Sequence, residues 1–168
     1  METIRAVLKP YFLNCFILII PILIWNVLLT DQLPENYQPE VFSRGIPNAL
    51  TYVENISRFF LFVITFLMPL SFHTKKQKIG LYVYLLGLIV YFASWIILIY
   101  FPTSIWSNSV MGFVAPAYTP VAWIAGIALI GDSFSFSIPY RRWIFISVST
   151  VFLPAHISHA VLVYCRLS

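Results

Sequence analysis

The sequence predicts an all-α integral membrane protein, a bundle of five transmembrane helices of which several are kinked by proline. The main observation is compositional: of 168 residues, 60% are hydrophobic, 18% are aromatic and only 10% are charged. A soluble domain carries about 25% charged residues, and a disordered chain lacks the apolar side chains that are abundant here. The composition therefore excludes both classes and leaves the lipid bilayer as the solvent.

The spacing of charged residues defines the predicted spans. A helix rises 1.5 Å per residue and needs about 20 mostly apolar residues to cross about 30 Å of hydrocarbon. The uncharged run 79–131 is too long for one crossing and is divided at residues 101–104, where proline and small polar residues favour a turn. No run alternates polar and apolar residues as a β-barrel wall does. The predicted spans, which form one membrane domain, are 10–30, 53–73, 80–101, 110–131 and 143–165.

The distribution of Lys and Arg predicts a cytoplasmic amino terminus and an external carboxyl terminus. Short loops rich in these residues stay on the cytoplasmic side of a membrane. This orientation leaves Arg44, Arg58 and Arg166 outside and places the other cations inside, namely Arg5, Lys9, Lys75, Lys76, Lys78, Arg141 and Arg142. We therefore expect a multi-pass protein of the cell membrane.

The segment 31–52 is predicted to be an external loop. Its prolines and acidic residues favour extended backbone over helix. The apolar run before it is long, and no Ala-x-Ala-like site precedes Asp31, so we expect a retained span rather than a cleaved signal peptide.

Prolines interrupt four of the five predicted spans. A proline lacks the amide hydrogen and its ring clashes with the preceding turn, so each is expected to kink its helix. Kinked helices enclose space, although proline is in general more frequent in membrane helices than in soluble ones. The prolines are Pro21, Pro69, Pro116, Pro120 and Pro154. In the fourth span, Ala122 and Gly126 form a small-x-x-x-small step that predicts the close approach of another helix.

Two histidines of the last span, His156 and His159, are the strongest candidates for chemistry. They are three residues apart and share one helical face, and polar rings in an apolar helix need partners within the protein or a wet cavity. They either bridge helices by bonding to carbonyl oxygens or handle protons or a ligand. A metal site would need a third protein ligand, and a haem would need histidines on different spans. We therefore expect no metal and no cofactor.

A second polar pair, Glu54 and Arg58, is spaced to meet on one face of the second span. Polar side chains of the other spans fall at a similar depth in the outer half of the membrane. This coincidence predicts one polar pocket that opens outward, with seven candidate ligand-binding residues: His156, His159, Glu54, Arg58, Asn26, Trp95 and Tyr118.

The leading hypothesis is a small membrane protein that binds or carries an apolar or amphipathic, lipid-like molecule in this pocket. The sequence contains no glycine-rich phosphate loop, no Gly-x-Ser-x-Gly, no His-Glu-x-x-His and no Cys-x-x-Cys. One alternative is an accessory subunit, joined to a membrane protein partner or to copies of itself. The other is an intramembrane enzyme that uses His156 or His159 as acid or base. The net charge of +4 comes from cations beside the spans, so nucleic acid is not an expected partner.

Overall fold

A computed structural model describes residues 13–135 and 142–167, and this part of the chain is a helical bundle without strands. The predicted all-α class is confirmed. Four helices are long and apolar enough to cross a membrane: Cys15–Gln32, Asn48–Leu67, Lys75–Tyr100 and Arg142–Leu167. The fourth predicted span contains a shorter apolar helix, Ala115–Ile130. The first residues of predicted span 10–30, together with Arg5, Lys9 and Arg141 of the orientation argument, lie outside the described residues.

The first long helix changes type near its beginning. A 3₁₀ turn at Cys15–Leu18 is followed by α1 at Ile20–Leu29 and by a second 3₁₀ turn at Thr30–Gln32. Pro21 lies in the first turn of α1, where an amide has no partner within the helix. Pro21 therefore starts α1, and the predicted kink in the interior of a helix at Pro21 was wrong.

The segment predicted to be an extended loop contains helical turns instead. A 3₁₀ turn forms at Glu35–Tyr37 and a single α turn, α2, at Pro39–Phe42. Pro39 occupies the first turn of α2, a position that proline favours because its φ angle is already helical. The prediction of extended backbone was wrong because it treated proline only as a helix breaker.

Helix α3 spans Asn48–Leu67, earlier along the chain than the predicted span 53–73. It ends because Met68 is extended, the conformation that a following proline imposes. Pro69 thus terminates this helix rather than kinking it. Helix α4 spans Lys75–Tyr100 and begins with a capping box, in which Thr74 and Gln77 each bond the other's backbone amide.

The predicted span 110–131 is broken into three pieces: α5 at Val110–Phe113, α6 at Ala115–Tyr118 and α7 at Pro120–Ile130. Pro116 and Pro120 lie in the first turns of α6 and α7, so these two prolines interrupt the span as predicted. Helix α8 spans Arg142–Leu167 and continues through Pro154.

Two helix pairs form the centre of the bundle, α4 with α7 and α3 with α8. A Cβ atom added to Gly126 would lie 2.5 Å from the Tyr84 nitrogen, and one added to Gly87 would lie 2.4 Å from the Trp123 nitrogen. Only glycine permits these distances, so the close helix approach predicted from Ala122 and Gly126 is confirmed. The second pair places Glu54 of α3 opposite the two histidines of α8.

Contacts between loops close both ends of the bundle. At one end, residues 13–15 run antiparallel to 68–70, and the Cys15 amide donates to the Met68 carbonyl oxygen over 2.7 Å. At the other end, the Tyr37 hydroxyl donates to the Phe113 carbonyl oxygen over 3.0 Å. Arg166 donates there to the Val41 carbonyl oxygen over 2.6 Å. At this second end lies the segment 33–47, between the first long helix and α3, which covers the candidate site and is called the covering loop below.

Candidate functional site

The carboxylate of Glu54 is the centre of the candidate site. Glu54 is 4% exposed although it is charged. It belongs to the buried stripe of α3, which continues through Ser57, Leu61 and Thr65. This helical periodicity turns Glu54 towards the inside of the bundle, where it meets α8.

Both histidines of α8 bond to this carboxylate. His156 Nδ1 lies 2.9 Å from Glu54 Oε1, and His159 Nδ1 lies 2.7 Å from Glu54 Oε2. The other ring nitrogen of His159, Nε2, lies 3.3 Å from the carbonyl oxygen of Phe42 in the covering loop. The histidines therefore do bridge helices, but their shared partner is a carboxylate and only one contact is to a backbone carbonyl.

The partners of His159 determine where its hydrogens lie. Ionised carboxylate and carbonyl oxygens only accept hydrogen bonds, so each nitrogen that faces one must carry a hydrogen. Both nitrogens of His159 face such oxygens. With Glu54 ionised, the imidazolium form is the one that lets His159 donate to both Glu54 and Phe42. His156 uses only Nδ1 on the carboxylate.

Arg58 is the third partner of the carboxylate, and it also reaches a cavity. Its guanidinium donates to Glu54 Oε1, the oxygen that His156 contacts. The Arg58 side chain is 39% exposed, against 5% for that of Glu54. Its guanidinium carbon lies 5.6 Å from the centre of the Phe152 ring, within the range of a cation–π contact. The predicted Glu54–Arg58 pair is thus formed at the wall of a cavity in the bundle.

Two cavities adjoin the cluster. The larger, of about 390 Å³, has mostly apolar walls from α1, α3, α7 and α8, with Asn26, Arg58, Tyr91 and His156 among its few polar residues. The smaller, of about 190 Å³, lies beneath the covering loop. Asn26, Tyr91 and His156 line both cavities, so these three side chains form the boundary between them.

The structure brings six of the seven predicted site residues into this region. Arg58, Asn26 and His156 line the larger cavity, and Trp95 lines the smaller one. Glu54 bonds to Arg58 and His156, and His159 bonds to Glu54. Tyr118 lines neither of these two cavities.

Tyr118 packs instead against a separate apolar cluster that includes Phe113 and Val163. Its depth was predicted by counting along one continuous helix. The structure divides this span into α5, α6 and α7, so the assumption of one continuous helix does not hold. This correction leaves six residues in the predicted polar layer.

Tyr91 is a site residue that the sequence analysis missed. Its hydroxyl donates to Asn26 Oδ1 over 2.6 Å. It lies on a buried stripe of α4 at helical spacing, Tyr84, Gly87, Tyr91, Ser94, Trp95 and Leu98, and that spacing was visible in the sequence. The contact between the Phe42 carbonyl oxygen and His159 could not be predicted from helical spacing, because Phe42 belongs to the covering loop.

The cluster joins one carboxylate, two histidines and one guanidinium through hydrogen bonds. Within the described ranges 13–135 and 142–167, no three or more His, Cys, Asp or Glu residues form a group suited to a metal ion. Here both Nδ1 atoms are used on the carboxylate. Of the residues in the cluster, Arg58 lines the larger cavity and His156 lines both cavities.

Comparison with known proteins adds no family to this description. No protein-family model, no curated protein and no solved structure matches the chain.

Proposed function

We propose that this protein binds or carries an amphipathic, lipid-like small molecule inside the membrane. The observation that supports this function best is the cavity of about 390 Å³, with apolar walls and with Arg58, His156 and Asn26 at its polar part. Ligand pockets typically measure about 300–1,000 Å³ and combine apolar walls with a few placed polar groups. The apolar wall would cover a chain, and the polar part would hold a head group.

A matched pair of tryptophan substitutions tests the proposal. Leu23 lines the cavity, whereas Val27, one turn later on α1, is 79% exposed on the outer surface. Leu23→Trp fills the cavity and should reduce photocrosslinking of a diazirine-labelled dodecanol to the protein at least fivefold. Val27→Trp adds the same side chain to the lipid-facing surface and should leave crosslinking unchanged. Equal crosslinking in both variants would refute binding in this cavity.

The proposed setting is the cell membrane, with five crossings, a cytoplasmic amino terminus and an external carboxyl terminus. The lysines at the start of α4 support this assignment through the charge rule, whereas Arg166 near the end of α8 is one of the cations that it leaves outside. The short α5, α6 and α7 would together make the fourth crossing.

Cysteine labelling tests this topology. Cys165 is exposed and Cys15 is buried, so a membrane-impermeant maleimide should label Cys165 in intact cells. Lys76→Cys, in a variant in which Cys165 is replaced by Ser, should be labelled only after permeabilisation. Labelling of Cys165 only in permeabilised cells would show that the orientation is wrong.

An accessory subunit is a second candidate function. The loop between α4 and α5 exposes large apolar side chains, with Ile105 93% exposed, Phe101 61% and Met111, just inside α5, 61%. An exposed apolar patch of this kind is typical of a contact surface. If the loop joins the protein to a larger complex, Ile105→Ser should reduce the mass of the complex extracted in mild detergent. An unchanged mass would argue against docking through this loop.

A further inference from the structure

We infer that the ligand is an anion: a single-chain amphiphile whose carboxylate or phosphate group binds between Arg58 and His156. This inference rests on the proposed function, because it names the chemistry of a molecule in the same cavity. It is carried by the charges around Glu54, by the donors that face the cavity and by the cavity size.

The charges of the cluster do not cancel. Glu54 contributes one negative charge, and Arg58 and the imidazolium of His159 contribute one positive charge each, so these three groups carry a net charge of +1. Among the described residues that line the two cavities there is no Asp or Glu. An uncompensated charge is costly in an apolar interior. Because the Arg58 side chain is 39% exposed at the cavity, solvent reduces part of this cost, and an anion bound in the larger cavity would remove the rest.

The available donors converge on one point. Arg58 and His156 both contact Glu54 Oε1, so their remaining groups flank the same part of the cavity wall. A guanidinium has five N–H donors arranged to bind carboxylate or phosphate oxygens in pairs. Two of the Arg58 nitrogens bond to Glu54 and, over 3.5 Å, to Asn55, and the rest of the group lies at the cavity. His156 lines the same cavity and can contact the head group beside Arg58.

The cavity limits the apolar part of the ligand. A volume of about 390 Å³ lies near the lower end of the range for ligand pockets. The wall beyond Arg58 is apolar and aromatic, with Leu61, Phe62, Trp123 and Ile127. This space suits one short acyl chain and is too small for a two-chain phospholipid.

The test compares anionic and neutral probes of equal chain length. The full-length protein is reconstituted in phosphatidylcholine nanodiscs, and binding of radiolabelled dodecanoate, dodecyl phosphate and dodecanol is measured after subtraction of binding to empty nanodiscs. We expect the Kd of at least one anion to be tenfold or more below that of dodecanol. The tighter of the two anions identifies a carboxylate or a phosphate head group.

The outcomes separate this inference from the proposed function. Equal Kd values for all three probes would overturn the anion and leave the cavity as a binding site. Absence of protein-dependent binding for every probe would overturn both proposals.

Variants then locate the head group. Arg58→Gln and His156→Gln should each raise the anion Kd towards that of dodecanol, and Arg58→Lys should restore part of the preference. Retained dodecanol binding shows that the cavity of a variant is intact. His73→Gln changes the remaining histidine, which is exposed near the start of α4, and should leave all three Kd values unchanged. A full anion preference in both Arg58→Gln and His156→Gln would overturn the assigned site.

Discussion

Replacement of Glu54 by leucine should cost the protein about 3–5 kcal/mol of unfolding free energy, the usual loss when one member of a buried ionic network is removed. The structure shows where this loss arises. His159 and His156 lie 2.7 and 2.9 Å from the carboxylate, and their side chains are only 10% and 24% exposed. A hydrogen bond to a charged group contributes about 1.5–3 kcal/mol. Arg58 contributes less because its side chain is 39% exposed and can be solvated through the cavity.

The conservative replacement Glu54→Gln should cost less, about 1.5–3 kcal/mol, the value of one charged hydrogen bond. The amide oxygen of glutamine can still accept from Arg58 and His156. Its amide nitrogen can donate to His159 Nδ1 once that nitrogen has lost its hydrogen. This substitution therefore removes the charge but keeps most of the hydrogen bonds.

Equilibrium unfolding in mixed micelles with increasing dodecyl sulfate, followed by tryptophan fluorescence, measures these differences. Glu35→Leu is the matched control: Glu35 is an exposed carboxylate in the covering loop, and its replacement should change stability by less than about 0.5 kcal/mol. A loss below about 1 kcal/mol for Glu54→Leu, or an equal loss for the leucine and glutamine variants, would refute the account of Glu54 as the centre of a buried charge network.

Three further predictions use the same unfolding assay. Gly126→Ala should destabilise by about 1–3 kcal/mol, because its methyl group would overlap the backbone of Tyr84; a gain in stability, as alanine gives in an open helix, would contradict the close packing. Tyr91→Phe removes the bond to Asn26 and should cost about 0.5–1.5 kcal/mol, and the double variant with Asn26→Ala should show coupling between the two. Tyr37→Phe should cost about 1 kcal/mol at neutral pH through loss of the bond from its hydroxyl. Burial raises the pKa of Tyr37 above its ordinary value of about 10, so the folded state holds this proton longer than the unfolded state, and the wild-type advantage over Tyr37→Phe should shrink as the pH rises above 10.

Charge spacing located the long helices because hydrocarbon tolerates few charges, a constraint that acts on each segment by itself. The same local reasoning failed at particular prolines. Pro69 ends α3, where a kink had been predicted. Pro39 starts α2, where extended backbone had been predicted. A proline restricts its own φ angle and the residue before it. Whether it starts, ends or bends a helix depends on the neighbouring turns.

The candidate site was predictable where it depends on one helix and unpredictable where it depends on two. Glu54 with Arg58, and His156 with His159, follow from spacing of three or four residues. The contact between these two pairs joins residues of α3 and α8 that are about 100 positions apart. Tyr118 was placed by counting along one helix, but the structure divides that span into α5, α6 and α7, and Tyr118 lines neither cavity. The spacing of α4 predicts that Tyr91 is buried, but only the structure shows that its hydroxyl bonds to Asn26.

Composition and the intervals between charges determined by themselves that this protein is helical and built of apolar segments, because the transfer of each segment out of water depends on that segment's own side chains. Tertiary structure alone decided that the Glu54–Arg58 pair of α3 would meet the two histidines of α8 beside a cavity. This contact depends on which faces of α3 and α8 meet. The packing of the whole bundle determines those faces, and it includes the glycine contacts between α4 and α7.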